Sequence, residues 1–331
     1  MRIRKLFIQG VPYPGSASKG QSSLVLALAT STIFALLLSL SGCTASSSRR
    51  NSLAYTEQAF QAAIQERVPE AETRLTLPPY AVDSDAIERA RREIRNAPLG
   101  PKRVEALVDF LSAPEPHGLG LSYDWSITSG ANRTLETRRG NCFSLASVLV
   151  GLGRGLGWPI FYAEARPRHP ESMEFEGITA LSDHMVVLIL AKSVRMIIDF
   201  SGEVEPDVYD IRPIDDVTAY AHLLNNIAGQ SVLISEGQDR EPSWENALEG
   251  FTLATRIQPE LGRAWNNMGI AYARLGRHDE ARAAYARALA LDTAFGPAKR
   301  NLSLMETRRQ GDPLVQPSGP NDANGLGRPI N

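Results

Sequence analysis

Between Trp265 and Ala288 the chain carries a spacing that suits one arrangement, a pair of packed antiparallel helices. Trp265, Met268, Gly269 and Tyr272 recur at helical intervals on one segment, and Ala281, Tyr285 and Ala288 on the next. Each segment therefore has one apolar stripe. The pattern recurs at a distance of 34 residues: shifting back sets Ala247, Phe251 and Ala254 over the second stripe, with Pro259 after it. Shifting forward sets Leu302 over Met268 and Asn301 over Asn267. Asn225-Asn226 repeats Asn266-Asn267 at a distance of 41, which implies a seven-residue insertion before Pro242. Helix pairs with such a period stack into a solenoid, and about three are needed for an independent core. One full pair, one variant pair and a closing helix fall short. The array is expected to lean on what precedes it, through the helix around Ala219 to Ile227.

These positions resemble the signature of the tetratricopeptide repeat, carried here by Trp265, Gly269, Tyr272, Ala281, Tyr285 and Ala288. The resemblance implies an all-α segment over residues 214–310 that binds a protein or peptide partner. Residues 311–331, rich in Gly, Pro and Asn, are expected to be disordered.

At the other end the sequence reads as an address. Residues 1–42 hold Arg2, Arg4, Lys5 and Lys19 and no acid, then an apolar run from Leu24 to Leu40 that stops at Ser41-Gly42-Cys43. A basic start, an apolar stretch and small residues before a cleavage point form a secretory signal. The alternative is a signal anchor that remains as a single transmembrane helix. Leu40-Ser41-Gly42-Cys43 resembles a bacterial lipobox, which implies lipidation of Cys43 and membrane attachment. Thr44, which is not Asp, points by the same resemblance to the outer membrane, facing the periplasm. Residues 43–52 read as a flexible tether. With the leader set aside, 31 basic residues stand against 37 acidic ones. A net acidic body is poorly suited to phosphate neutralisation, so no nucleic-acid partner is expected.

Between these ends the pattern is mixed. Residues 53–68 and 84–113 have helical spacing, the second stretch broken by Pro98, Gly100 and Pro101. A helix is expected from Cys142 to Gly157. The runs Ile160 to Glu164, Met185 to Leu190 and Val194 to Phe200 are short and β-branched, as strands are. Gly151, Gly153, Gly155 and Gly157 alternate without forming a nucleotide loop and are read as close helix packing and a C-terminal cap. His117, His169, His222 and His278 show no metal-ligand spacing and are read as ordinary. No metal or cofactor is expected.

The chain has two cysteines, Cys43 and Cys142. If Cys43 is acylated, Cys142 has no disulfide partner, and an unpaired thiol in an exported protein calls for a reason. Cys142 stands after Arg138-Arg139-Gly140-Asn141, at the start of an apolar helix, where unpaired amides favour a thiolate. Gly140 is expected to give the turn its conformational freedom. His184 and Asp199 sit on two successive strands. A hairpin turning at Ala191-Lys192 would set them directly opposite, letting a carboxylate orient an imidazole.

Gly140-Asn141-Cys142, Leu145-Ala146, Leu156-Gly157, His184 and Asp199, in that order, resemble the transglutaminase-like superfamily. The resemblance implies an α+β, papain-like core over residues 53–213, with Cys142 as nucleophile, His184 as general base and acid, and Asp199 as the orienting carboxylate. It also implies an exported cysteine enzyme that attacks peptide or glutamine amides through a thioester and is more suited to hydrolysis than to cross-linking. The alternative is a non-catalytic repeat scaffold with a transglutaminase-like fold.

Overall fold

The computed structural model of the chain describes residues 5–10, 53–70, 77–168, 173–175, 178–180, 184–191, 194–202, 204–205, 207–236, 243–292 and 296–309. The apolar run of the leader, Cys43, the 43–52 tether and the 311–331 tail lie outside them. Strand β1 (Lys5–Gly10) opens the chain, and three helices follow: α1 (Glu57–Arg67), α2 (Ser84–Ile94) and α3 (Pro101–Ser112). The Thr56 hydroxyl accepts the Ala59 amide and starts α1. Pro101 starts α3 at a position where its missing amide costs nothing. The short strands β2 (Ser122–Tyr123) and β3 (Arg139–Gly140) pair in parallel on either side of α4 (Ala131–Thr137).

Helix α5 (Cys142–Gly155) is buried without a break from Phe143 to Gly153. A helix apolar all round needs neighbours all round, and its glycines let them close in. A Cβ on Gly151 would lie 2.2 Å from the Tyr80 carbonyl, and one on Gly155 would lie 2.6 Å from Ile87. Gly157, with φ of 80°, turns the chain out of the helix.

Strands β4 (Ile160–Pro167), β7 (His184–Ala191), β8 (Val194–Asp199) and β9 (Tyr209–Pro213) form an antiparallel sheet in the order β1-β8-β7-β4-β9. A separate hairpin joins β5 (Met173–Phe175) to β6 (Ile178–Ala180). One sheet face, with Ile160, Tyr162, Met185, Val187, Ile189, Met196 and Ile198, shares the main core with α5 and the lead-in helices. The other face, with Ala163, Ala165, Val186, Leu188 and Ile197, packs against Val204, Tyr209 and Ile211.

Two features depart from the sequence expectation. The β7–β8 pairs are Val187 with Ile198 and Ala191 with Val194. Carried one step on, that register sets Asp199 level with Val186, two places from His184, so the two are not directly opposed. A two-residue offset leaves every side chain on its original face, so apolar alternation fits both registers equally well. The second departure is β1. Residues 5–10, assigned to a leader, lie antiparallel along β8, from Lys5 opposite Asp199 to Gly10 opposite Val194. Phe7 and Ile8 favour a strand, and the β8 edge offers unpaired backbone groups.

Five helices follow among the described residues: α6 (Asp216–Glu236), α7 (Trp244–Ile257), α8 (Gly262–Arg274), α9 (His278–Leu291) and α10 (Gly296–Arg309). They do not form a detached unit. Val217, Ala219, Tyr220, Ala221 and Leu223 of α6, with Ala254, Ile257, Leu261 and Ala264 further on, belong to the same core as α5. Asp216, fully buried, accepts Arg154 Nη1 and Nη2 at 2.8 Å each and the Tyr55 amide at 2.8 Å. Inside the array a Cβ on Gly269 would lie 2.6 Å from the Tyr285 ring, which accounts for the small residue there. Asparagines tie alternate helices: Asn267 donates to Asn225 at 3.0 Å and Asn301 to Asn266 at 3.0 Å.

Candidate functional site

Cys142 is the first residue of α5 and is partly buried. Asn141 caps the helix, its Oδ1 accepting the Ser144 amide at 3.2 Å while its Nδ2 donates to Thr128 Oγ1 at 2.6 Å. The preceding loop is held by the backbone, Asn141 donating to the Ile127 carbonyl at 2.7 Å and Asp124 to that of Gly140 at 2.9 Å. Gly140 is needed for space rather than for its φ, because a Cβ there would meet Ser144 Cβ at 2.3 Å. Arg139 pairs with Asp124 beside the loop. From α6, Gln230 clamps it further, accepting the Thr128 amide at 2.7 Å and donating to the Trp125 carbonyl at 3.2 Å. Trp125 itself is exposed.

His184 and Asp199 lie on the other face of the sheet. Alternation along β7 puts His184 with Val186 and Leu188, and its ring centroid is 6.3 Å from that of Tyr209. Asp199, fully buried, accepts the Ser201 amide at 2.9 Å, the Ser201 hydroxyl at 2.8 Å and the Val204 amide at 2.9 Å. Its carboxylate holds Ser201 and Val204. The structure thus brings His184 and Asp199 to one face and Cys142 to the opposite one.

The groups that share the α5 face with Cys142 are different. Phe143, the next residue, stacks on Tyr162 with centroids 5.7 Å apart, and the Tyr162 hydroxyl donates to Ser147 at 3.0 Å. Two residues beyond Tyr162 on the same face of β4 comes Glu164, its side chain 5% exposed. Arg166 Nη2 lies 2.8 Å from Glu164 Oε2, while His222 Nε2 and Arg263 Nη2 approach Oε1 at 3.8 and 3.9 Å. Neither of those two contacts is a hydrogen bond, and Oε1 accepts none among the described residues. Burial pushes His222 below its ordinary pKa against the pull of Glu164, so the ring is neutral at pH 7. Burial alone would raise the Glu164 carboxyl; the surrounding cations outweigh it and hold it below the usual range. The groups acting against burial are His222 first, then Arg263 and Arg166.

Sequence reasoning took His222 as ordinary and passed over Glu164 and Arg263. One signal was present: a glutamate within the apolar run from Ile160 to Ala165 has to be buried with partners.

A second feature lies among the helices. The end of α1 and the adjoining sides of α7 and α8 enclose a cleft of about 540 Å³, with Val68, Leu248, Leu253 and Tyr272 among its apolar lining. Its arginines are engaged, Arg256 with Glu70 and Arg277 with Glu280. Glu245 and Glu249, one turn apart on α7, are exposed on its wall.

Residues 262–293, which span α8 and α9, match the tetratricopeptide repeat. The chain therefore carries a tetratricopeptide repeat within a C-terminal helical array, behind a body of mixed helix and strand. No curated protein matches the chain. Among the described residues, no group of three or more His, Cys, Asp or Glu could hold a metal ion, and no helix is long and apolar enough to cross a membrane.

Proposed function

We propose that the chain is a protein-binding scaffold of the bacterial cell envelope, its repeats holding a polypeptide segment beside a transglutaminase-like body over residues 53–213. The observation that carries this reading is the cleft between α1, α7 and α8, with an apolar lining and two exposed glutamates. Glu245 and Glu249 have no ion-pair partner among the described residues, so an apolar segment bearing Lys or Arg complements the wall. Fluorescence anisotropy with labelled decapeptides tests it. A Leu/Lys peptide should bind the full chain and a Leu/Glu peptide should not, and Glu245→Lys with Glu249→Lys should reverse the preference. Indifference to both changes removes the cleft as the binding surface.

The envelope address rests on Leu40-Ser41-Gly42-Cys43. Cys43→Ser should abolish acyl labelling and release the chain from the membrane fraction; retained labelling ends the lipoprotein reading.

A second reading is favoured by one observation, the partly buried Cys142 thiol in the first turn of α5. In it the chain is a transglutaminase-like cysteine enzyme. The Cys142 thiolate attacks an amide carbonyl carbon, the amine leaves with a proton, and water cleaves the thioester to an acid and the free thiol. The family resemblance assigns proton transfer to His184 and its orientation to Asp199. For that set to act, the His184 ring has to meet a thiol that lies across the sheet. Comparing iodoacetamide labelling of Cys142 in the full chain with that in His184→Ala decides the point.

A further inference from the structure

We propose that the outer edge of β8 is a strand-docking site. Strand β1 fills it while the leader is attached; once the leader is cut away before Cys43, an extended apolar segment of a partner polypeptide, led by a basic residue, takes its place. This inference rests on the envelope address and adds a surface distinct from the helical cleft.

The two outer sides of the sheet are built differently. Strand β9, at one edge, carries Asp210 and Arg212 as an ion pair and ends in Pro213. Charges and a proline blunt an edge against further pairing. Strand β8 has no proline, and Met196, Ile197 and Ile198 at its centre are buried. Met196 and Ile198 belong to the main core and Ile197 to the core of the opposite face, so a strand laid along this side borders both. In the structure that strand is β1, paired with β8 from Lys5 to Gly10. Cys43 lies between β1 and α1 in the chain, so removal of residues 1–42 detaches the strand from the sheet it completes. A tethered strand holds its place through a high effective concentration, which a severed one lacks. The edge then opens.

The register states what the site takes. Lys5 stands opposite Asp199, Phe7 opposite Ile197 and Gln9 opposite Arg195, while Leu6 and Ile8 stand opposite Ile198 and Met196. Facing positions of opposite charge, and facing apolar positions, each stabilise a strand pair. Arg195 adds a preference of its own. Its Nη2 donates to the Ile211 carbonyl at 2.8 Å, whereas its buried Nε has no hydrogen-bond partner among the described residues. A side-chain acceptor at the position opposite Arg195 suits it. The ligand is therefore a basic residue, three apolar residues and a carboxamide or carboxylate, in that order, running antiparallel to β8.

The test is fluorescence anisotropy of a labelled Arg-Lys-Leu-Phe-Ile-Gln-Gly peptide with two forms of the protein. One is the processed form isolated from membranes in detergent; the other is Cys43→Ser, which keeps its leader, and mass spectrometry assigns the N-terminus of each. The processed form should bind, and Cys43→Ser should bind at least about tenfold more weakly because β1 holds the edge. Lys5→Glu in the peptide should weaken binding several-fold. An antiparallel strand bonds an edge through alternate residues. N-methylation of the peptide at Leu6 and Ile8, or instead at Lys5, Phe7 and Gln9, should therefore differ, one set abolishing binding and the other being tolerated. Indifference to both sets puts the peptide in the helical cleft and overturns the proposal. Equal binding by the two forms overturns it as well, as does a processed chain that dimerises and takes no peptide; either result leaves the address standing. A membrane-bound chain that retains residues 1–42 removes the address and this inference together.

Discussion

Asp199 and Glu164 are both buried carboxylates on one antiparallel sheet, one on each face, and they are satisfied in opposite ways. Asp199 accepts three hydrogen bonds of 2.8 to 2.9 Å from two residues of the loop that follows it. Its partners are close in sequence, and the contact closes a turn. Glu164 has one close cation in Arg166 and two long approaches, from His222 on α6 and Arg263 on α8. A buried polar group with its bonds made holds a shape, whereas one with bonds unmade calls for a further explanation. The family resemblance points to the face of Asp199, and the unsatisfied chemistry lies on the face of Cys142.

The largest effect should come from what fixes the Cys142 face. Asp216→Ala would leave Arg154 buried without its carboxylate and free the Tyr55 amide. Removing one partner of such a pair costs about 3–5 kcal/mol, read as a lower midpoint in urea for body and repeats together. A separate, unshifted repeat transition would break the picture of one continuous core.

Next in size is the opposite face. Asp199→Ala should cost about 1–3 kcal/mol, because the buried Val204 amide loses its carboxylate acceptor. Thermal unfolding should register that loss, while labelling of Cys142 stays within about twofold, since the loop lies across the sheet from the thiol. Tenfold slower labelling in Asp199→Asn or His184→Ala would erase the distinction between the faces and restore the Cys142–His184–Asp199 set.

The smallest effect sharpens the comparison through pH. His222 is held below its ordinary value of 6.5 by burial. Below that pH the unfolded chain binds a proton the folded chain resists, so stability falls as pH drops from 6.5 toward the folded value. The slope cannot exceed about 1.4 kcal/mol per pH unit for one proton. Glu164 adds loss of the same sign at lower pH, since its folded value lies below 4.5 and its contribution disappears as pH falls through that value. His222→Gln should flatten the dependence between pH 5 and 6.5. An unchanged slope there would mean that the ring is not buried neutral.

Much of the fold was legible because its causes are local. The split of 84–113 at Pro98 to Pro101, the start of α5 at Cys142, the strands β4, β7 and β8, and the paired stripes of α8 and α9 each follow from residues within about one turn or one pleat of each other. Strand β9 and the β5–β6 hairpin escaped, being short and without strong alternation. The β7–β8 register escaped for a different reason, since a slip of two residues keeps every face and leaves the pattern without a preference.

The chain by itself determined its helices, the strands that alternate, the repeat and the place of Cys142 on a helix start. Period and capping act over a few residues and are written in order along the sequence. Only the tertiary structure decided which residues share the thiol's face. Glu164, His222 and Arg263 come from a strand, the linking helix and the repeat, and no spacing relates them. They meet because α6 and α8 bury apolar sides in the α5 core, and that packing carries an acid, an imidazole and a guanidinium into one place.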